Sequence, residues 1–386
     1  MIGLKSHQIM TAKAYHVREI KKEVLHQLRK YKEIFEFLLR YQADNTQTYD
    51  ASHSNKVRAI LSISDPNVKD RQGIDSTLRC IKPQYRNRAS ELLDMLKQIE
   101  ADVDKILEAD RETLITLIQK HIYPIQGVTN KDLAKIFEKI FNYDSFSTKG
   151  HSKYNAYTLT KNLRIISCPY CNRMYTLTVI CQFKKNGNVI DYVTRPELDH
   201  YFPKSKYPIF GLSFNNLIPS CSICNNLKGN KTDHTKMHHH PYFDETKLNF
   251  RLNGLKYDDD INTFNKSDEW DIELDEKGCT FTKESIEIFR LKDIYREHNF
   301  IIEDMIEKAQ KYNRTFVDSV ESLFSGEENE ANPSGVVNVR FEREELMERI
   351  FGVLPSVEDH SNPMNKFKRA IYQSIRDAQN IKVSLL

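Results

Sequence analysis

Two Cys-x-x-Cys pairs constrain this chain more than any other feature: Cys168-Pro-Tyr-Cys171 and Cys221-Ser-Ile-Cys224, with 49 residues between them. Each pair offers two thiolates from one tight turn, and two such knuckles complete the tetrahedral sulfur shell that Zn²⁺ takes in structural sites. A redox dithiol needs one pair, not two. A disulfide framework is not expected in a 386-residue chain whose first residues lack the apolar core of an export signal. The spacing therefore predicts a closed, structural zinc site that clamps the segment near Cys168 to the turn at Cys221, with no position open to water or substrate. The other three cysteines, Cys80, Cys181 and Cys279, read as small buried hydrophobes.

Around that clamp the chain changes texture twice. Residues 1–150 read as a helical regulatory or docking domain, with an apolar stripe from Val17 through Ile20, Val24, Leu28, Ile34 and Phe35 to Leu38. The polar stretch from Ala43 to Arg88 interrupts it as a loop region. Residues 151–245 turn to β: Tyr175–Phe183 and Val189–Val193 flank an Asn-Gly step and predict a hairpin. A loop-like segment from Phe202 to Ser220 and a short helix over Cys224–Lys231 follow. Residues 246–386 are predicted to hold a second hairpin (Trp270–Leu274 with Cys279–Thr282, Trp270 in the core), one helix from Leu291 to Tyr312, a linker over Ser325–Gly335, and short helices at Phe341–Phe351 and Asn365–Ala378. The expected class is α+β.

Several functions are excluded early. The 12 glycines form neither a dinucleotide fingerprint nor a P-loop. No apolar run approaches the 18 or so residues of a membrane span, so a cytoplasmic protein with no membrane partner is expected. The net charge of +3 is mild, but nine Lys/Arg against four Glu in residues 1–40 offer a basic face to a polyanion. That run, or the acidic one at 257–285 with ten Asp/Glu against three Lys, is equally a solvated helix face when taken alone.

Between and after the knuckles stand Glu197-Leu-Asp-His200-Tyr-Phe-Pro203, Asn216-Leu-Ile-Pro-Ser-Cys221 and Cys224-Asn-Asn-Leu-Lys-Gly229. As a set, over about 65 residues, they resemble the HNH, or ββα-metal, endonuclease family. The wider layout is loosely similar to uncharacterised bacterial HNH proteins suspected of anti-phage defence. The resemblance implies a central ββα-metal unit flanked by a helical N-terminal domain and an α+β, mostly helical C-terminal region.

It also implies roles. His200 can take a proton from water as general base, and Asp199 can hold a hard divalent cation. Asn225 matches the family's second metal ligand and Asn216 the residue that orients the loop carrying the base. Asn215 competes with Asn216, and only the spacing to Asn225 favours Asn216. The cofactors would be structural Zn²⁺ and one catalytic Mg²⁺ or Mn²⁺ acting as Lewis acid. Lys228 and Lys231 fall where contacts to DNA phosphates would be useful. The expected activity is DNA phosphodiester hydrolysis in a defence effector, with an ATPase or other defence subunit as partner. The alternatives are a zinc-knuckle nucleic-acid-binding module without catalysis, and the same chemistry on RNA. His234, His238, His239 and His240 tempt a metal reading, but Pro241 ends any helix there and a solvated loop is expected.

Overall fold

The long stripe of residues 17–38 does form one helix, α1 (His7–Ala43), in which no Gly or Pro interrupts the turns. The computed structural model describes residues 3–4, 7–43, 87–121, 130–148, 154–184, 188–245, 247–258, 260–261, 263–265, 270–312, 316, 348–354 and 361–379. The polar stretch after α1 (with Cys80), the linker over Ser325–Gly335 and most of the helix expected at Phe341–Phe351 lie outside these residues. The predicted apolar stripe is buried along its length, and α1 lays it against α2 (Ala89–Ala101) and α3 (Val103–Glu108). Helices α4 (Arg111–His121), α5 (Asn130–Ile140), α6 (Tyr143–Ser147) and α7 (Ala156–Leu163) complete the helical part. Asn155 caps α7, its side chain accepting from the amides of Tyr157 and Thr158.

The first hairpin forms as β1 (Val179–Lys184) and β2 (Asn188–Thr194), antiparallel, with a register shift after Val179. Next comes a strand–strand–helix unit. Strand β3 (Glu197–His200) pairs antiparallel with β4 (Leu217–Ser220), Asp199 opposite Ile218 and His200 opposite Leu217. Helix α8 (Ser222–Lys228) follows directly and packs on β3. The connection from 201 to 216 carries single 3₁₀ turns at Pro208–Phe210 and Phe214–Asn216.

Three expectations for the C-terminal region are corrected. Strand β8 (Asp271–Asp275) pairs not with Cys279–Thr282 but with β5 (Asn249–Asn253), setting Phe250 opposite Leu274 and Leu252 opposite Ile272. Cys279 instead precedes helix α9 (Thr280–Ile288), whose threonines imitate a strand in sequence. The small hairpin β6 (Tyr257–Asp258) with β7 (Thr263–Phe264) lies between them. Trp270 is only half-buried, its indole N–H donating to Asn265 Oδ1 at 3.0 Å. The expected helix from Leu291 to Tyr312 is two, α10 (Leu291–Arg296) and α11 (Asn299–Lys311). At the break, His298 Nδ1 takes the carbonyl of Ile294 at 2.8 Å, a side chain replacing the backbone donor. Helix α12 (Asn365–Ala378) closes the described chain where it was predicted.

One contiguous buried cluster runs through all three sequence regions, from Leu4 and α1 to Ile375 on α12. No helix of the described residues is long and apolar enough to cross a membrane. His16 of α1 lies wholly inside this cluster, its Nε2–H donating to the carbonyl of Leu212 at 2.8 Å while Nδ1 lies 3.0 Å from the Tyr154 hydroxyl. Burial pushes its pKa down from 6.5 to about 4. A histidine with a lowered folded pKa contributes stability above its unfolded pKa, and the contribution fades as pH falls. Unfolding is therefore expected to become easier between about pH 6.5 and pH 4, by about 3 kcal/mol from His16 alone. Thermal midpoints across that window check this, with His16→Gln flattening the profile.

Candidate functional site

The four knuckle cysteines are brought together. Their sulfurs all lie within 4.8 Å of one another, all four residues are buried, and none is in a disulfide. A tetrahedral Zn–S bond of about 2.3 Å requires sulfur–sulfur edges of about 3.8 Å. Cys171 Sγ and Cys221 Sγ are 4.0 Å apart, close to that edge and far too long for a disulfide. The donor set, four sulfurs in a dry shell, fits zinc. The amides of Cys221 and Cys224 point at sulfur, each 3.4 Å from Cys168 Sγ and Cys221 Sγ respectively. The four thiols share their protons unequally: hydrogen bonds from the neighbouring thiols, Cys168 first, hold Cys171 and Cys221 below their usual range, while burial pushes Cys168 up and hydrogen bonds from the same neighbours push Cys224 up.

The first knuckle turns because Asn172 adopts φ 50°, a left-handed conformation that Asn tolerates, and returns its amide to the Cys168 carbonyl at 2.6 Å. The C-terminal region grips this turn from outside. Tyr295 of α10 donates to the Cys171 carbonyl at 2.5 Å, and the amide of Met364, just before α12, donates to the Asn172 carbonyl at 2.5 Å.

On β3, alternation sends Glu197 and Asp199 to the face covered by α8. Asn225 Nδ2 donates to Glu197 Oε2 at 2.5 Å, and one turn later Lys228 Nζ reaches Asp199 Oδ1 at 2.9 Å. Asp199 is buried, and its Oδ2 accepts from the Tyr170 hydroxyl at 2.7 Å. A carboxylate has about four lone-pair sites, so two stay free at Asp199. The amide oxygen of Asn225 is not used by its bond to Glu197. Glu197 and Asp199 of β3 thus face α8, which carries Asn225 and Lys228, and their oxygens are donors of the hard kind that suits Mg²⁺. Glu197 was not singled out from sequence, although its place two residues before Asp199 carries the signal.

His200 is half-buried and set by the connection between the strands. Its Nε2 donates to the carbonyl of Gly211 at 3.1 Å, which fixes the tautomer and leaves Nδ1 as an acceptor. The Tyr143 ring meets it edge-on at 4.4 Å. Burial lowers the His200 pKa from 6.5 to about 4, so the imidazole is neutral throughout the neutral range. Gly211 suits this close approach, because a Cβ there would lie 3.1 Å from the carbonyl oxygens of Phe141 and Pro208, and both would have to give way by a few tenths of an ångström.

Asn216 and Asn215 separate by geometry. Asn216, fully buried, accepts from the Phe202 amide at 2.7 Å and donates to the carbonyls of Phe202 (3.2 Å) and Phe210 (3.0 Å). It ties the residues following His200 to the residue preceding Gly211. Asn215 points away, donating to the carbonyls of Glu108 and Ala109 in the helical part. Asn216→Ala would strand the buried amide and carbonyl of Phe202 and leave the Phe210 carbonyl to the Ser213 amide. It is expected to cost about 2–4 kcal/mol in denaturant unfolding, with Asn215→Ala leaving the His200 region better ordered.

Three expectations fail here. Lys228 is not on the surface: it is fully buried, with its ammonium on Asp199 and, at 2.6 Å, on the His200 carbonyl. A phosphate contact from it conflicts with this arrangement, because α8 turns that side chain into β3. Lys231 is exposed. Nor is the histidine run a solvated loop. His238, His239 and His240 are buried, with His238 and His240 against the Tyr201 ring at 4.6 and 4.3 Å and His240 Nε2 donating to the Asn215 carbonyl. His234 stays half-buried beside the Tyr207 hydroxyl, 2.7 Å away. Cys181 and Cys279 are half-exposed rather than core.

Compared with protein-family models, with curated proteins and with solved structures, the chain finds no match.

Proposed function

We propose that this chain is a metal-dependent endonuclease of the HNH type that hydrolyses DNA phosphodiester bonds around a structural Zn²⁺ site. The observation that carries the reading is the pinned imidazole: His200 held by Gly211 through Nε2, with Nδ1 left as acceptor, at the end of a strand whose other face gathers oxygen donors. Two antiparallel strands followed by a helix, anchored by four cysteines, is the arrangement the motif set implies.

Asp199 and Asn225 would hold the divalent ion, with Glu197 as the adjoining carboxylate. When bound, a Mg²⁺ or Mn²⁺ ion supplies charge relief at the scissile phosphate and the leaving oxygen. His200 Nδ1 would take the proton of the attacking water. Its neutral form predominates at neutral pH because the ring is desolvated. Asn216 would keep the segments on either side of that ring in register. Lys231 remains as a phosphate contact, and the exposed basic residues of α1 as a wider electrostatic surface.

One observation favours the second reading, a zinc-knuckle binding module: Lys228 already neutralises Asp199. The test is supercoiled-plasmid cleavage by the purified full chain across Mg²⁺ and Mn²⁺ titrations, with a structured RNA in parallel. Metal-dependent cutting of DNA supports the proposal. Binding without cutting of either substrate, with or without a partner, favours the module; cutting of RNA alone moves the substrate. The large flanks support a role in which this chemistry is controlled by a partner, such as an ATPase subunit of a cellular defence system.

A further inference from the structure

Tyr170 lies between the two cysteines of the first knuckle, yet nothing in the proposed chemistry uses it. It is fully buried, with its ring stacked on Phe289 at a centroid distance of 4.4 Å and an angle of 21°. Its hydroxyl donates to Asp199 Oδ2 at 2.7 Å. From the opposite side Lys228, also fully buried, donates to Asp199 Oδ1 and to the His200 carbonyl. A buried Lys–Asp pair stands only when further hydrogen bonds satisfy both ions. Here the Tyr170 hydroxyl and the His200 carbonyl supply them. The result is one continuous line of contacts from the four-sulfur centre, through Asp199, to the backbone of His200.

We propose that Tyr170 is a positioning residue that couples occupancy of the four-cysteine centre to the presentation of Asp199. The inference rests on the reading of Asp199 as a ligand of a divalent ion. A residue held between two ligand cysteines cannot move without its knuckle. A metal-loaded knuckle therefore fixes the hydroxyl, and the hydroxyl fixes one rotamer of the carboxylate. Outer partners of this kind set ligand direction, and removing one typically weakens metal binding about 10–100-fold. The structural metal would then do more than hold the fold: its loss would also disorder the acidic ligand of the second site.

A second tyrosine on the same knuckle provides the control. Tyr295 donates to the Cys171 carbonyl at 2.5 Å and supports the turn from its other side. The experiment uses the full chain as purified. Mn²⁺ affinity is read from the electron paramagnetic resonance signal of free Mn²⁺, zinc content by metal analysis, and folding from the thermal midpoint.

Tyr170→Phe keeps the ring stack and removes only the hydroxyl. It is expected to retain the zinc content of the native chain while binding Mn²⁺ about 10-fold more weakly. Tyr295→Phe is expected to lower the thermal midpoint while keeping its zinc, and to leave Mn²⁺ affinity unchanged. Equal or tighter Mn²⁺ binding by Tyr170→Phe overturns the coupling while the endonuclease reading stands. Equal weakening in both variants with zinc retained in both also overturns it, in favour of plain support of the knuckle. A native chain that binds no Mn²⁺ overturns the metal reading of Asp199 and the coupling with it.

Discussion

His200→Ala is expected to abolish DNA cleavage in a protein that still folds, still carries zinc and still binds DNA. The substitution removes the imidazole that the Gly211 carbonyl pins through Nε2, and touches neither the sulfur shell nor the Asn216 bonds. Loss of a general base costs about 10² to 10⁴ in rate. Asp199→Ala and Asn225→Ala are expected to fail differently, through weakened ion binding, so that raised Mn²⁺ restores part of their activity and none of that of His200→Ala. Asp199→Ala also leaves the Lys228 ammonium buried without its carboxylate, so its folded fraction must be measured alongside. Plasmid cleavage across a Mn²⁺ titration, with circular dichroism, separates these outcomes. A folded His200→Ala variant that cuts at the native rate would remove His200 from the chemistry.

The second large effect concerns the sulfur cluster. Cys168→Ser or Cys224→Ser is expected to yield protein that is insoluble or melts far below the native chain, because assembly of a four-thiolate centre contributes directly to folding. A loss of even about 5 kcal/mol lowers the midpoint of a domain of ordinary size by about 10–20 °C. Cys181→Ser, at a half-exposed strand position, is expected to do neither. Zinc analysis beside thermal unfolding checks the pair. Native protein that is soluble and stable with no bound zinc would sink the assignment.

What could be read from the chain alone was whatever chemistry fixes at short range. Two knuckles at a set spacing announce a cluster wherever the rest of the chain goes, and Asp-His on a short strand places two side chains on opposite faces. The spacing to Asn225 favoured Asn216 over Asn215, but which backbone each of two adjacent asparagines reaches needed the fold. Lys228 was misread because a lysine near a helix end is ordinarily solvated; only the approach of α8 to Asp199 makes burial tolerable. The histidines at 238–240 mislead for the same reason. They look like surface, and aromatic neighbours distant in sequence take them inside. The missing second hairpin is a matter of partner choice: β8 found β5, some twenty residues upstream, and left Cys279–Thr282 free to start a helix.

The segment between β3 and β4 is held from behind by the N-terminal helices. His16 binds the Leu212 carbonyl, Ser213 donates to the Ile106 carbonyl, and Asn215 to those of Glu108 and Ala109. The carbonyl that orients His200 belongs to the residue just before this anchored run. The strand-strand-helix unit is therefore no portable cassette: cut out or grafted elsewhere, it would carry its acidic face with it and leave behind the wall that aims its imidazole.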